Sequence, residues 1–312
     1  MTSLLLGVDS GGSKTTVVLA DERGHILGEG RSGCSNYQYV GEASAVAKID
    51  AAIDAAFAQA NLPRRVTDYA CFGIGGVDTA EDMVKAQRWV SDNHWAKRCL
   101  TVNDGMLPLY AVCADGVGVS VIAGTGAIMW AQTSDGRVAR SSGWGYLLGD
   151  EGGGWELGYQ VLRHLARSVD GRGPATQLKD AVLAHWQLAN VYGLITRLYQ
   201  SDVQPSDIAS LARVALDCAA AGDEIALQIA QRGADELALG AWAVAHELHL
   251  QTPFTLAYSG SLLIKGLHYR KLFAAACHQR IGDVTLIPVE DPVTGAVAAA
   301  HLLMTADVEH AA

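Results

Sequence analysis

The stretch Leu4-Leu5-Leu6-Gly7-Val8-Asp9-Ser10-Gly11-Gly12-Ser13-Lys14-Thr15 decides the fold. Leu4–Asp9 reads as a short apolar strand that runs straight into the turn Gly11–Lys14. Thr15–Ala20, rich in β-branched residues, reads as a second strand, Asp21-Glu22-Arg23-Gly24 as its turn, and His25–Gly30 as a third. A glycine-bearing hairpin immediately after a strand points to an antiparallel ribbon. A dinucleotide-binding fold would open strand–helix–strand with Gly-x-Gly-x-x-Gly at the turn after this first strand, and that pattern does not stand there.

The same order returns further on. Val117–Ala123 is an apolar strand, Gly124-Thr125-Gly126 a glycine turn, Ala127–Gln132 a strand and Asp135-Gly136 its turn. Gly12, Gly24 and Gly33 align with Gly124, Gly136 and Gly145 at a constant offset of 112. Self-similarity of this kind predicts two related lobes, each with a sheet whose first hairpin aims a glycine turn at a common cleft. Between the hairpins lie an Ala-rich helix (Glu42–Ala60), a strand (Asp68–Ile74) closed by Gly75-Gly76, a helix (Ala80–Asn93) and a strand (Cys99–Val102) ending at Asn103-Asp104-Gly105. Such alternation favours parallel pairing after the hairpin. From Trp155 to Leu250 the pattern is helical, with one or two long helices over Asp217–Leu250. Short strands return at Phe254–Tyr258 and Asp283–Ile287, and a last helix opens near Pro292. The lobe boundary is expected within Asp104–Val117.

Half of the 312 residues are hydrophobic and 18% are charged, which argues against global disorder and supplies cores for two lobes. Lys+Arg number 23 and Asp+Glu 33, a net charge of −10, and no basic run is present. That balance disfavours nucleic acids and anionic membranes as partners. The apolar run at the N-terminus is short and lacks a basic flank, so no signal peptide is expected, and no stretch is long enough to span a bilayer. A cytoplasmic location is the expectation. Cys34, Cys71, Cys99, Cys113, Cys218 and Cys277 form no Cys-x-x-Cys pair and read as thiols of a reducing compartment.

Asp9 through Thr15 carries the residue types that a phosphate turn with a metal needs. Glycines let backbone N–H groups approach phosphate oxygens, Ser13 and Thr15 add hydroxyls, and Asp9 suits Mg²⁺ held through water. It is not a Walker A loop, because Lys14 stands one place late. Alone, the stretch is equally a tight hairpin turn with an incidental carboxylate. The second turn, Gly124–Gly126, at the matching place of the second half, shifts the balance toward a clamp on a polyphosphate. Ser259-Gly260-Ser261 fits either a nucleotide contact or a serine helix cap. Asp104, where a strand emerges between the two glycine turns, is placed to accept the proton of an attacking hydroxyl. A helix N-cap for Met106–Ala114 is the competing role, and one side chain cannot easily fill both.

Gly143-Trp144-Gly145-Tyr146-Leu147-Leu148-Gly149-Asp150-Glu151-Gly152-Gly153-Gly154-Trp155 is the densest signal. An aromatic face packs on the C–H side of a sugar ring while a carboxylate accepts from its hydroxyls. A glycine-rich loop before a helix near Trp155 accounts for the glycines alone. His246 and His249 do not form H-E-x-x-H and belong to a polar helix face, and no G-x-S-x-G elbow is present.

Together, Gly7–Thr15, Asn103-Asp104, Ala123–Gly126, Gly143–Gly152 and Ser259–Ser261 resemble the sugar kinase, Hsp70 and actin superfamily of two-lobed ATPases over nearly the whole chain. Within it they are most similar to the N-acetylglucosamine kinase branch of the BadF/BadG ATPase family, Gly143–Gly152 being the most specific match. The resemblance implies an α/β, actin-like (ribonuclease H-like) fold with a duplicated βββαβαβα core and an active-site cleft between lobes. Residues 1–115 with the C-terminal helix 292–312 would form one lobe, and 116–291, with a helical insertion, the other. The implied reaction moves the γ-phosphoryl of ATP, with Mg²⁺, to the 6-hydroxyl of an amino sugar, N-acetylglucosamine first. Asp104 would be the base and Asp9 would position hydrated Mg²⁺. Gly11, Gly12, Ser13, Lys14 and Thr15, with Gly124, Thr125 and Gly126, would grip the phosphates, and Gly260 and Ser261 would border the adenosine. Asn36, Asp104, Thr125, Trp144, Gly145 and Asp150 would contact the sugar. Lys14 departs from the branch, which often has Thr or a small residue there. The implied partners are the sugar and ATP alone; relatives are commonly homodimers, a state the sequence does not reveal.

Two rivals share the fold. A dehydratase-activator ATPase holds an iron–sulfur cluster through cysteines, and none lies between Cys113 and Cys218. A sugar-sensing regulator would usually add a DNA-binding segment, whereas this chain starts at the phosphate strand. Among kinases, glucosamine, N-acetylmuramic acid and glucose stand as alternative acceptors, and the Cys/His zinc cluster of ROK-type sugar kinases is missing.

Overall fold

The Gly11–Lys14 turn folds as a hairpin in the computed structural model, which describes residues 3–113 and 115–311. Met1, Thr2, Ala114 and Ala312, which fall within the expected lobes, lie outside the described residues. Strand β1 (Leu4–Ser10) pairs antiparallel with β2 (Thr15–Asp21) from Leu4↔Asp21 to Ser10↔Thr15, and β2 pairs antiparallel with β3 (Ile26–Ser32). β1 is apolar from Leu4 to Val8 because both its faces are covered there, with Leu5, Leu6 and Val8 fully buried. A single turn, α1 (Tyr37–Val40), precedes the Ala-rich helix α2 (Glu42–Gln59). This helix lies on β3 at close range. A Cβ added to Gly30 would stand 1.9 Å from the Ala52 carbonyl oxygen, so the glycines of β3 and the alanines of α2 serve one close crossing.

β4 (Thr67–Ile74) joins β1 in parallel, and β5 (Ala96–Asn103) joins β4 in parallel. Between them α3 (Ala80–Asp92) opens on a capping box, Thr79 accepting from the Asp82 N–H and Asp82 from the Thr79 N–H. The first sheet therefore runs β3-β2-β1-β4-β5. β5 begins three residues before the expected Cys99. Its first half carries the exposed Lys97 and Arg98, charges that suit a sheet edge and hide the strand from an apolar-run reading. A 3₁₀ turn, Asp104–Met106, leads into α4 (Leu107–Val112).

The second half repeats this order. β6 (Gly118–Ala123), β7 (Ala127–Gln132) and β8 (Val138–Ser142) stand for β1 to β3, and β9 (Phe254–Ser259) and β10 (Val284–Pro288) for β4 and β5. The sheet reads β8-β7-β6-β9-β10, the same sequence of places as the first. Even the hairpin turns correspond: Asp21 N donates to His25 O as Thr133 N does to Arg137 O, and Gly24 and Gly136 share φ +80°. Where the first half has α2, the second inserts α5 (Gly154–Val169), α6 (Leu178–His185), α7 (Gly193–Leu198), α8 (Pro205–Ala220) and α9 (Glu224–Glu247). Within Asp217–Leu250 the helical run breaks once, at Gly222 (φ +93°), where Asp223 caps α9 by accepting from Ala226 N. After β9 come α10 (Ser261–Lys265) and α11 (Leu267–Arg280), and after β10 the last helix α12 (Val293–Ala311).

Two compact units result. One holds the chain up to Ser120, with Gln132–Arg137 and everything from Asp291; the other holds Val121–Ala131 and Val138–Glu290. α12 thus belongs to the first unit, packed on α4, β1 and β4. No helix among the described residues is long and apolar enough to cross a membrane.

Candidate active site

In the first unit, β1 delivers Asp9 to the start of the glycine turn. Gly11 N donates to Lys14 O at 3.1 Å, closing the turn, and Gly11 O accepts from Ser35 N at 3.2 Å. A buried hydroxyl knot fixes this junction. The Ser35 hydroxyl lies 2.7 Å from that of Ser10 and 2.5 Å from that of Thr15, and Thr15 donates to Gly33 O at 2.8 Å. Thr15 is fully buried, and its side chain shapes the turn from beneath. Gly12, Ser13 and Lys14 are exposed and stay available to a ligand. The knot also places Asn36, which follows Ser35. Its Oδ1 accepts from Gln38 N at 3.0 Å, capping α1.

Asp104 stands at the end of β5, where its neighbour takes part in capping the turn that it opens. The cap of the 3₁₀ turn is Asn103, whose Oδ1 accepts from Gly105 N at 2.8 Å. Asp104 Oδ2 points at the glycines of two other connections: a Cβ on Gly11 would lie 3.5 Å from it and one on Gly75 2.9 Å. Burial pushes the Asp104 carboxyl up to about 7, helped by the charges of Asp9 and Asp78 against hydrogen bonds from backbone N–H groups. Burial likewise raises Asp9 to about 6, with Lys14 opposing. Asp78, on the loop after β4, is a member of this acidic group that sequence reasoning missed; nothing but its place between a strand-closing Gly75-Gly76 and a helix cap would have signalled it.

In the second unit, the Gly124–Gly126 turn closes with Gly124 N donating to Gly126 O at 2.9 Å. The carbonyls of Gly124 and Thr125 then accept from Gly154 N and Trp155 N, each at 2.8 Å, which satisfies the first N–H groups of α5. The exposed Thr125 side chain is left free of that duty. The Gly143–Gly154 loop lies on this turn. A Cβ on Gly153 would stand 2.6 Å from the Gly126 carbonyl carbon, so part of the glycine run serves backbone packing, in line with the plainer reading of this loop. Asp150 sits at φ +62° with Oδ2 against Gly126, where an added Cβ would approach to 2.3 Å. Burial raises its carboxyl, opposed by N–H bonds from Gly145 and Ala127. Its Oδ1 is buried with no hydrogen-bond partner among the described residues. A buried acceptor of this kind wants a donor such as a ligand hydroxyl.

Trp144 is 67% exposed, with the Arg140 guanidinium 4.8 Å from its ring, and Gly145, at φ +81°, has open space around it. Gly260 (φ +91°) presses on β6, where an added Cβ would lie 2.2 Å from Ala123 O, and the exposed Ser261 opens α10. The structure therefore gathers Asp9, Gly11–Lys14, Asn36 and Asp104 in one unit, and Gly124–Gly126, Asp150 and Gly260 at neighbouring strand ends of the other. A cavity of about 190 Å³ between α5 and α9, lined by Glu151, Glu156, His164, Arg232 and Glu236 among others, contains none of the residues expected to contact sugar, phosphate or metal.

The acidic pair also fits a hard cation. Asp9 and Asp104 lie in poor solvent with Lys14 the opposing charge on Asp9, yet no group of three metal-ligating side chains exists among the described residues. Mg²⁺ is commonly held by one or two carboxylates and completed by water and phosphate oxygens, which is what this donor set allows.

A model of the BadF/BadG/BcrA/BcrD ATPase family matches residues 6–302. The chain belongs to this family. It is 32% identical over 271 residues to an N-acetyl-D-glucosamine kinase of Dictyostelium discoideum, covering 82% of this chain and 84% of that one. It is 29% identical over 265 residues to an N-acetylmuramic acid/N-acetylglucosamine kinase of Clostridium acetobutylicum, covering 85% and 87%. Among solved structures, a candidate N-acetylglucosamine kinase from Chromobacterium violaceum superposes with a TM-score of 0.74 at 27% identity, over 97% of this chain and 98% of that one. The family member described here thus has the expected α/β fold, two five-stranded sheets of one topology.

Proposed function

We propose that this chain is an ATP-dependent amino-sugar kinase that phosphorylates the 6-hydroxyl of N-acetylglucosamine, with Asp104 as general base. The observation that carries the reading is the Asp104 carboxylate. It shares the Gly105 N–H with Asn103, is aimed at Gly11 and Gly75, and is raised to about 7. A base poised near neutral pH is what proton removal from a sugar hydroxyl requires. The similarity to the Dictyostelium discoideum and Clostridium acetobutylicum kinases supports an amino sugar as the acceptor.

Each remaining residue has a task in this reading. The turns Gly11–Lys14 and Gly124–Gly126, whose Gly11 and Gly124 N–H groups are spent closing the turns, hold phosphate oxygens, with the Ser13 and Lys14 side chains reaching from the exposed turn. Asp9 holds Mg²⁺, which when bound neutralises charge on the phosphates. The orphaned Asp150 Oδ1 accepts from a sugar hydroxyl, the Asn36 amide donates to one, and Trp144 packs on the ring's apolar side. Gly260 and Ser261 border the adenosine.

The test is ADP release from Mg²⁺-ATP over a panel of N-acetylglucosamine, N-acetylmuramic acid, glucosamine and glucose, with Asp104→Asn beside the wild type. We expect N-acetylglucosamine to give the highest kcat/KM, and the variant to lose roughly 10²–10⁴-fold in kcat while still binding nucleotide. Absence of sugar-stimulated ADP release across the panel would sink the reading.

A further inference from the structure

We propose that Asn103 is a positioning residue for phosphoryl transfer, which keeps Asp104 Oδ2 turned toward the phosphate turn and ties that carboxylate to the loop beneath the sugar-side residue Asn36. The inference rests on the kinase reading above and goes beyond it, since Asn103 touches no reactant.

Asn103 is 3% exposed, and its amide is used at both ends. Oδ1 accepts from Gly105 N at 2.8 Å, while Nδ2 donates to Val77 O at 3.0 Å and approaches Asp78 Oδ1 at 3.4 Å. The first contact decides what Asp104 does. An Asp at the first residue of a helical turn ordinarily folds back on the nearest free N–H. Here the Gly105 N–H also attracts the Asp104 carboxylate, and the share that Asn103 takes leaves Oδ2 directed into the gap beside Gly11 and Gly75.

The second end reaches a different connection. Val77 and Asp78 follow Gly75-Gly76, where Gly75 abuts Asp104 Oδ2 and Gly76 (φ +84°) abuts Asn36, its added Cβ lying 2.6 Å from Asn36 Oδ1. Gln38 Nε2 donates to Gly76 O at 2.9 Å, which closes the link to α1. One buried amide thus sets the relation between the base, the glycine pair and Asn36. Only Asn or Gln supplies an acceptor and two donors on one planar group, and the shorter of them fits this span.

The experiment compares Asn103→Ala, Asn103→Ser and Asn103→Asp by sugar-dependent kinetics, nucleotide binding and a crystal structure of each folded variant. Ala removes both ends; Ser and Asp keep an acceptor for Gly105 but cannot donate to Val77 as the amide does, and Asp adds charge beside Asp78. We expect Asn103→Ala to lose about tenfold to a hundredfold in kcat with KM for ATP within about twofold, and Asn103→Ser to recover a substantial part of kcat. In the Ala structure Asp104 Oδ2 should leave the Gly11–Gly75 gap for the Gly105 N–H. A folded Ala variant with wild-type kcat overturns the proposal, as does a Ser variant no better than Ala. If Ala does not fold, the Ser and Asp variants carry the comparison, and wild-type kcat in Asp would overturn it. Should the wild type phosphorylate no sugar, the kinase reading fails, and the position of Asp104 in the variant structures still decides the positioning claim.

Discussion

A single carboxyl group sets the strongest constraint at this site. Asp104 is an ordinary Asp in the unfolded chain, and burial beside Asp9 and Asp78 raises it to about 7 in the fold. Folding therefore becomes harder as pH rises: below the unfolded value both states are neutral, and the penalty grows until it is complete above about 7. Asp104→Asn removes it. The variant should be more stable than wild type at pH 8, by an amount on the order of 1–3 kcal/mol, and equal to it near pH 4. Urea unfolding at the two pH values measures this, and no gain at pH 8 would refute it. Activity runs oppositely, so the wild-type sugar kcat/KM should climb between about pH 6 and 7 as Asp9 and Asp104 lose their protons. The sequence displayed Asp104 as a carboxylate at a strand end but left its cap role open. The turn is capped by the neighbouring Asn103, whose two contacts lie 2 and 26 residues away. A long-range contact of that kind leaves no trace in local spacing.

At the level of elements, glycine does two separate jobs that look alike in a string of letters. Gly136 turns a hairpin at φ +80° with open space around it, whereas Gly153 holds ordinary backbone and is required by the approach of the Gly143–Gly154 loop to Gly126. Replacing Gly136 with Ala should cost about 1–2 kcal/mol through left-handed strain alone and leave kinetics unchanged. Gly153→Ala should cost about 1–3 kcal/mol by overpacking and also move Asp150, whose carbonyl lies 2.8 Å from the added Cβ. Sugar kcat/KM should then fall in the second variant alone, and an equal kinetic effect in both would contradict the assignment. The hairpins, α2, α3 and the strand Phe254–Tyr258 were legible because their periodicity or β-branching is continuous. The start of β5 was hidden by the edge charges Lys97 and Arg98, and α1 by its length of one turn. The packing of Thr15 was not legible either, because its hydroxyl partner Ser35 comes 20 residues later.

Over the whole molecule the duplication was legible because the order strand, glycine turn, strand, turn, strand occurs twice, and turns must recur where the topology recurs. What the chain's last helix supports is a matter of packing. α12 crosses α4 so closely that a Cβ on Gly295 would lie 1.9 Å from Leu107 O, and Val297 fills the space over Gly7 of β1. The first unit therefore completes its core only with residues of α12, a contact of high sequence separation that is sensitive to a single added methyl group. Gly295→Val forces the two helices apart, uncovering the face of β1 and β4 that α12 protects. The second unit keeps its own core, in which Leu237, Ala238 and Ala241 of α9 are fully buried. In hydrogen exchange, amides of β1 and β4 should lose protection in Gly295→Val while those in the middle of α9 retain it. Equal loss in both would show that the two units unfold as one cooperative body, and the separate cores described here would then be insufficient for separate stability.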